Sequence, residues 1–193
     1  MRAKAVVVSL FLALLVGASG ALALDSQTAP PDYTPVPQEA TEGVTSTPVA
    51  TVLLVQDLLP WGSSANTDAL TALGVSHVVI NSADLAATDL SEVHVVMYAS
   101  DQPTTYYQNI AAEIGKITDF VSAGGVLLAH ACDRGWNRGT WDGLEILPGG
   151  AHHVSRADNA LQIVQALHPV VAGLSDADLS GWGSSTHGYL TDL

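Results

Sequence analysis

The chain has one cysteine, Cys132, in the chemically richest stretch of its 193 residues, Ala129-His130-Ala131-Cys132-Asp133-Arg134-Gly135. A thiol becomes a nucleophile when a neighbouring base or cation favours the thiolate. His130 and Arg134 are residues of that kind, and on an extended strand positions 130 and 132 share a face. The competing reading of Cys132 is a compact apolar side chain at a strand end. His187, in Ser184-Ser185-Thr186-His187-Gly188, is the candidate base for a Cys–His pair. His130, Cys132, Asp133, His152 and His153 are also zinc-ligand types, but their spacing matches no zinc signature.

Two other groups of residues could bind rather than react. Residues 133–148 carry Trp136 and Trp141 together with Arg134 and Arg138. Loop tryptophans can stack on a sugar or another flat ligand, and the alternative is that they anchor the loop to the core. Asp176-Ala177-Asp178-Leu179-Ser180-Gly181 has the D-x-D-x-S-G start of a calcium loop. Asp176, Asp178 and Ser180 are therefore candidate ligands, and calcium is the one candidate cofactor. The twelfth position of that loop is His187, where an EF-hand needs a bidentate Glu, so an acidic turn is the alternative.

The elements that must position these groups follow from pattern. Thr51-Val52-Leu53-Leu54-Val55 is apolar on both faces, as a central parallel strand is. Residues 75–80, 93–98 and 126–131 read as three further strands. Residues 67–73 predict a short helix stopped at Gly74. Ile110, Ile114, Ile117 and Val121 recur at helical spacing, which predicts one helix over 103–122 ended by Gly124-Gly125. A later helix is expected over 159–167, stopped by Pro169. Strands alternating with helices predict an α/β fold, a flavodoxin-like parallel sheet with helices on both faces. Ligands in such sheets bind beyond the strand carboxyl ends, which places Asp57, Asp101, His130, Asp133, Arg134, Trp136, Arg138 and Trp141 as the candidate ligand-binding residues.

Three segments resemble the class I glutamine amidotransferase-like superfamily. The first is the helix, Gly124-Gly125, the apolar strand and Cys132. The second, Leu167-His168-Pro169-Val170-Val171-Ala172-Gly173-Leu174, looks like a segment of the trehalose-utilisation-type branch. The third is the late His187. The resemblance implies a Cys132 nucleophile on a tight turn, an oxyanion hole after the third strand, and further antiparallel strands after the late histidine. The chain departs from each. Bulky His130 and Arg134 stand where the turn needs glycines. Ser100-Asp101-Gln102-Pro103 occupies the oxyanion position, where a carboxylate would oppose the developing charge. His168 is followed by Pro169 and Val170, not by the H-x-E pattern. Residues 190–193 are too few for the extra strands, so a truncated domain is expected over 50–193.

The chain starts with Arg2 and Lys4, runs apolar from Ala5 to Val16, and reaches small residues before Ala21-Leu22-Ala23. That is the order of a signal peptide over 1–24, or, if it is not cleaved, of a membrane anchor. Residues 25–49, rich in Pro and Thr, read as a disordered linker. Beyond the leader, 4 basic residues face 19 acidic ones, a formal charge of −15. That balance argues against nucleic acid and anionic lipid as partners. One cysteine permits no internal disulfide. The sequence therefore predicts a secreted or extracytoplasmic domain that binds an extracellular ligand or protein without catalysis. The alternative is a Cys-dependent hydrolase or amidase-like enzyme using Cys132 and His187.

Overall fold

A computed structural model describes residues 32–38, 52–130, 135–157, 163, 171–179 and 186–191. Four strands, β1 (Val52–Val55), β2 (His77–Ile80), β3 (Val95–Tyr98) and β4 (Val126–Ala129), form an all-parallel sheet in the order β2-β1-β3-β4. The register sets Leu53 beside Val78 and Val96, and Val96 beside Leu127. This is an α/β fold with the first four positions of the flavodoxin-like order. A further pair, β5 (His152–Ala157) and β6 (Thr186–Thr191), makes an antiparallel ladder in which His187 lies opposite Arg156.

Strand alternation sorts the core onto two faces. Leu53, Val55, Val78, Val96, Tyr98, Leu127 and Ala129 face α2 (Thr104–Ala112) and α3 (Ile114–Ser122), where Tyr106, Tyr107, Ile110, Ile117 and Phe120 are buried. Val52, Leu54, Val79, Met97 and Ala99 form the other face, covered by Leu70 of α1 (Ala65–Ala72). Buried on both sides, the strands need apolar residues at every position, which is why they read as continuous apolar runs. Among the described residues, no helix is long and apolar enough to cross a membrane.

The glycine stops act as the sequence predicts. Gly74 (φ +65) and Gly124 (φ +107) take the left-handed position after α1 and α3. The next N–H in each case returns to the helix, Val75 to Leu70 O at 2.9 Å and Gly125 to Phe120 O at 3.0 Å. Gly125 has a second reason to lack a side chain, since a Cβ there would run into the Phe120 ring.

Two expectations are corrected. The single helix over 103–122 is two helices. Glu113 (φ −104, ψ 14) leaves the helical region, and its N–H tightens onto Ile110 O at 3.0 Å. Ile117 N then bonds Glu113 O at 3.2 Å to start α3. Ile110 and Ile117 keep the buried face common to both helices, so the apolar spacing alone could not show the break. The second correction concerns the linker. Residues 32–38 lie on the domain, with Pro37 bridged antiparallel to Leu58. The expected helix over 159–167 lies outside the described residues apart from Ile163.

Candidate functional site

The strand order reverses between β1 and β3, so the crevice at their carboxyl ends is where a doubly wound sheet offers a ligand site. Here that crevice is stitched shut from within. The Tyr106 hydroxyl donates to Val55 O at 2.9 Å and accepts from Ala99 N at 3.0 Å, tying the ends of β1 and β3 together. Gln102, fully buried, fills the space above. Its Oε1 accepts from the backbone N–H groups of Asp57 and Leu58, both at 2.9 Å. Its Nε2 donates to Leu58 O at 2.8 Å and Ser100 O at 2.9 Å. The amide donors that could have met an incoming anion already have a partner.

Asp101 binds the loops to one another. It is 1% exposed, and its Oδ1 accepts from Asn137 N at 2.8 Å. Its Oδ2 accepts from Trp61 N at 2.7 Å and Asn137 Nδ2 at 3.2 Å. Asn137 Nδ2 also donates to Asp101 O at 2.7 Å. One carboxylate thus joins the loops that follow β1, β3 and β4. Burial raises its pKa above the ordinary carboxylate range, against the opposing pull of the Asn137 and Trp61 N–H groups.

The close fit of these loops has two signatures. Gly135 and Gly139 are placed where a Cβ would collide, at Gly135 with the Asp101 carboxylate and at Gly139 with the Gln102 carbonyl. The non-glycine residues with left-handed backbone among the described residues are Trp61 (φ 48), Asp101 (φ 52) and Arg138 (φ 59), all in these same three loops. Such a conformation costs roughly 1–2 kcal/mol for a residue with a Cβ. It persists where surrounding bonds over-determine it.

The other candidates separate around this knot. Asp57 turns both oxygens to the turn after β2, accepting from Ser82 N at 2.6 Å and Ser82 Oγ at 2.7 Å. Gln56, also fully buried, accepts from Asn66 Nδ2 at 2.8 Å. His130 follows β4 in a buried position, and burial lowers its pKa from 6.5 to about 4. Trp141, expected in a binding loop, is a core residue beside Ile146 and Leu147 and stacks on His153 with centroids 4.5 Å apart. That half of the 133–148 loop is an anchor, because a buried indole contributes most of its area to the core.

Trp136 is half-buried and Arg138 is exposed. Trp61, in the loop after β1, is 43% exposed. Asp178 accepts from Ser175 N at 2.8 Å and Ser175 Oγ at 2.6 Å, and Asp176 accepts from Ile163 N at 2.8 Å. These bonds lie within the described part of the segment, and no group of three or more His, Cys, Asp or Glu residues that could hold a metal occurs among the described residues. Cys132, Asp133, Arg134 and Ser180 lie outside the described residues. His187 is placed by its backbone in β6.

The residues that close the site, Gln56, Gln102, Tyr106 and Asn137, are uncharged and carry no catalytic signature, so sequence reasoning passed over them. The usable signal was the pair Gly135 and Gly139 flanking Asn137, since closely spaced glycines without helical or strand periodicity mark close backbone approach.

No protein-family model and no solved structure matches the chain. Over 93 residues it is 28% identical to an uncharacterized protein of Clostridium acetobutylicum, a match covering 48% of this chain and 10% of that protein. The chain thus corresponds to about a tenth of the relative's length.

Two outcomes follow from the knot. Asp101→Asn keeps the shape but turns an NH2 toward donors that need an acceptor. It should lower unfolding free energy by about 1–3 kcal/mol, read as a lower urea midpoint with unchanged slope at pH 7. His130, with a folded pKa below its unfolded one, binds fewer protons when folded. Its contribution is therefore complete above about pH 6.5 and is lost as pH falls toward about 4. Wild type should lose about 1–3 kcal/mol of stability over that range relative to His130→Gln, measured by urea unfolding at each pH.

Proposed function

We propose that this chain is an exported, non-catalytic α/β domain that binds a ligand or partner at the carboxyl end of its parallel sheet. The observation that carries the reading is the fate of the switch-point donors. The Asp57 and Leu58 N–H groups are held by Gln102, and a carboxylate, Asp101, stands where an oxyanion would need donors. A reaction that builds negative charge there would meet an acceptor-rich, already satisfied surface. The superfamily resemblance is part of the proposal, supported by the β2-β1-β3-β4 order. The basic and apolar leader supports export.

The contact surface is the rim of the knot, which carries exposed Trp61 and Arg138 and half-buried Trp136. A tryptophan nearly half exposed and held in left-handed backbone adds little to folding, and it presents a broad flat face for stacking. Acidic overall charge directs this surface to neutral or cationic partners rather than polyanions. A match that spans a tenth of a longer relative fits a domain used as one module among others.

The test is chemical. Purified protein is assayed for hydrolysis of glutamine and of p-nitrophenyl acetate, with Cys132→Ser alongside, and Cys132 alkylation by iodoacetamide is followed by mass spectrometry. The reading predicts no turnover that depends on Cys132. Hydrolysis abolished by both Cys132→Ser and iodoacetamide would establish the Cys-dependent enzyme instead.

A further inference from the structure

The most informative feature outside the proposed function is the segment expected to be a plain spacer. Residues 32–38 run as an extended strap across the loops of the knot. Leu59 N donates to Val36 O at 2.8 Å and Gln38 N donates to Asp57 O at 3.0 Å, the two-bond ladder of an added strand. The ladder uses one strap carbonyl and one strap N–H, so Pro35 and Pro37 remove no donor that it needs.

Side chains fix both ends. The Tyr33 hydroxyl donates to Asn137 Oδ1 at 3.0 Å, and its ring meets Trp136 edge-on with centroids 5.1 Å apart. At Gly62 a side chain would reach the Tyr33 ring, since a Cβ there comes within 3.6 Å of Cε2. Five residues on, Gln38 Oε1 accepts from Gln56 Nε2 at 2.6 Å. Between these anchors Thr34, Pro35, Val36 and Pro37 are exposed.

The domain side of this contact has the composition of a peptide receptor. It offers a strand-like edge at 57–59, an aromatic and amide pocket from Gly62, Trp136 and Asn137, and an amide hook at Gln56. Asp57 and Leu58 are bonded to Gln102, Asn137 to Asp101 and Gln56 to Asn66, so these groups have partners besides the strap. The strap side has few apolar contacts and mostly exposed residues, the marks of a segment that opens locally without unfolding the rest. We propose that this surface is a receptor for an extended, proline-containing peptide with a tyrosine five residues before a glutamine, and that residues 32–38 are its displaceable occupant in cis. Proline-rich segments suit such a site because they are already extended when free. This inference rests on the strap's geometry, not on the absence of catalysis, so the Cys132 assay leaves it untouched.

A tethered strap competes at an effective concentration on the order of millimolar, so a free peptide should bind wild type poorly. The probe is a fluorescein-labelled peptide of residues 30–40, titrated by anisotropy against wild type and against the full chain carrying Tyr33→Ala and Gln38→Ala. Both substitutions lie in the strap and leave the receptor intact. The strap-weakened chain should bind the peptide at least about tenfold more tightly than wild type, and a peptide carrying Tyr33→Ala should lose at least about tenfold. Equal affinity for both proteins, indifference to the tyrosine, or no saturable binding by the variant would overturn the proposal. A second arm does not depend on the variant's folding. A specific protease site placed within 41–47 of the full chain converts the strap into a separate peptide when cut. It should co-elute with the domain at high concentration, separate on dilution and be displaced when excess 30–40 peptide is added. Elution apart at every concentration would equally refute the receptor.

Discussion

The Asp101 carboxylate holds the loops at the carboxyl end of the parallel sheet in one arrangement. Three N–H groups from two other loops converge on its two oxygens. A buried carboxylate is costly unless it is well bonded, and the remedy here is to make it the shared acceptor of chain segments that otherwise have little in common. The rest follows from that requirement. Gly135 and Gly139 are small so that the loop after β4 can approach. Trp61, Asp101 and Arg138 accept left-handed backbone so that their N–H and side-chain vectors point the right way. Gln102, next in sequence, is delivered into the crevice between β1 and β3 and satisfies the amides there.

The same architecture explains why the sheet's customary ligand position is closed while its rim is available. An open switch point would leave strand-end amides facing outward to a phosphate or an oxyanion. Here they face an amide oxygen. What remains exposed is the outer layer with Trp61, while the edge at 57–59 is covered by the strap. The proposed binding role draws on this surface, since one held in place by internal bonds would lose little entropy on use. The strap fits this picture because its partners, Asn137, Gln56 and the backbone at 57–59, are all members or neighbours of the knot.

The sheet was legible because parallel strands buried on both faces must be apolar at every position, and the runs at 52–55, 95–98 and 126–129 are. The helix stops at Gly74 and Gly124 were legible because only glycine adopts that backbone cheaply. The break at Glu113 was not, since Ile110 and Ile117 satisfy the same apolar face whether or not the helix is continuous. The site was partly legible. Asp57 and Asp101 were placed at the strand ends, but their direction depended on Ser82, Trp61 and Asn137, which are distant in sequence. Trp141 and Trp136 look alike in the sequence and differ in the structure, one in the core and one at the rim. Composition made residues 32–38 a spacer, because a proline-rich segment carries no core of its own. It gave no sign that Tyr33 and Gln38 would find a prepared surface.

The central claim is that the switch-point amides are held inside the protein by Gln102 and Asp101. Amide hydrogen exchange measured by NMR on the intact chain tests it directly. The N–H groups of Asp57, Leu58, Trp61 and Asn137 should exchange as slowly as those of β1 and β3, through global unfolding. Exchange of these four at the rates of exposed loop amides, with the strands still protected, would contradict it.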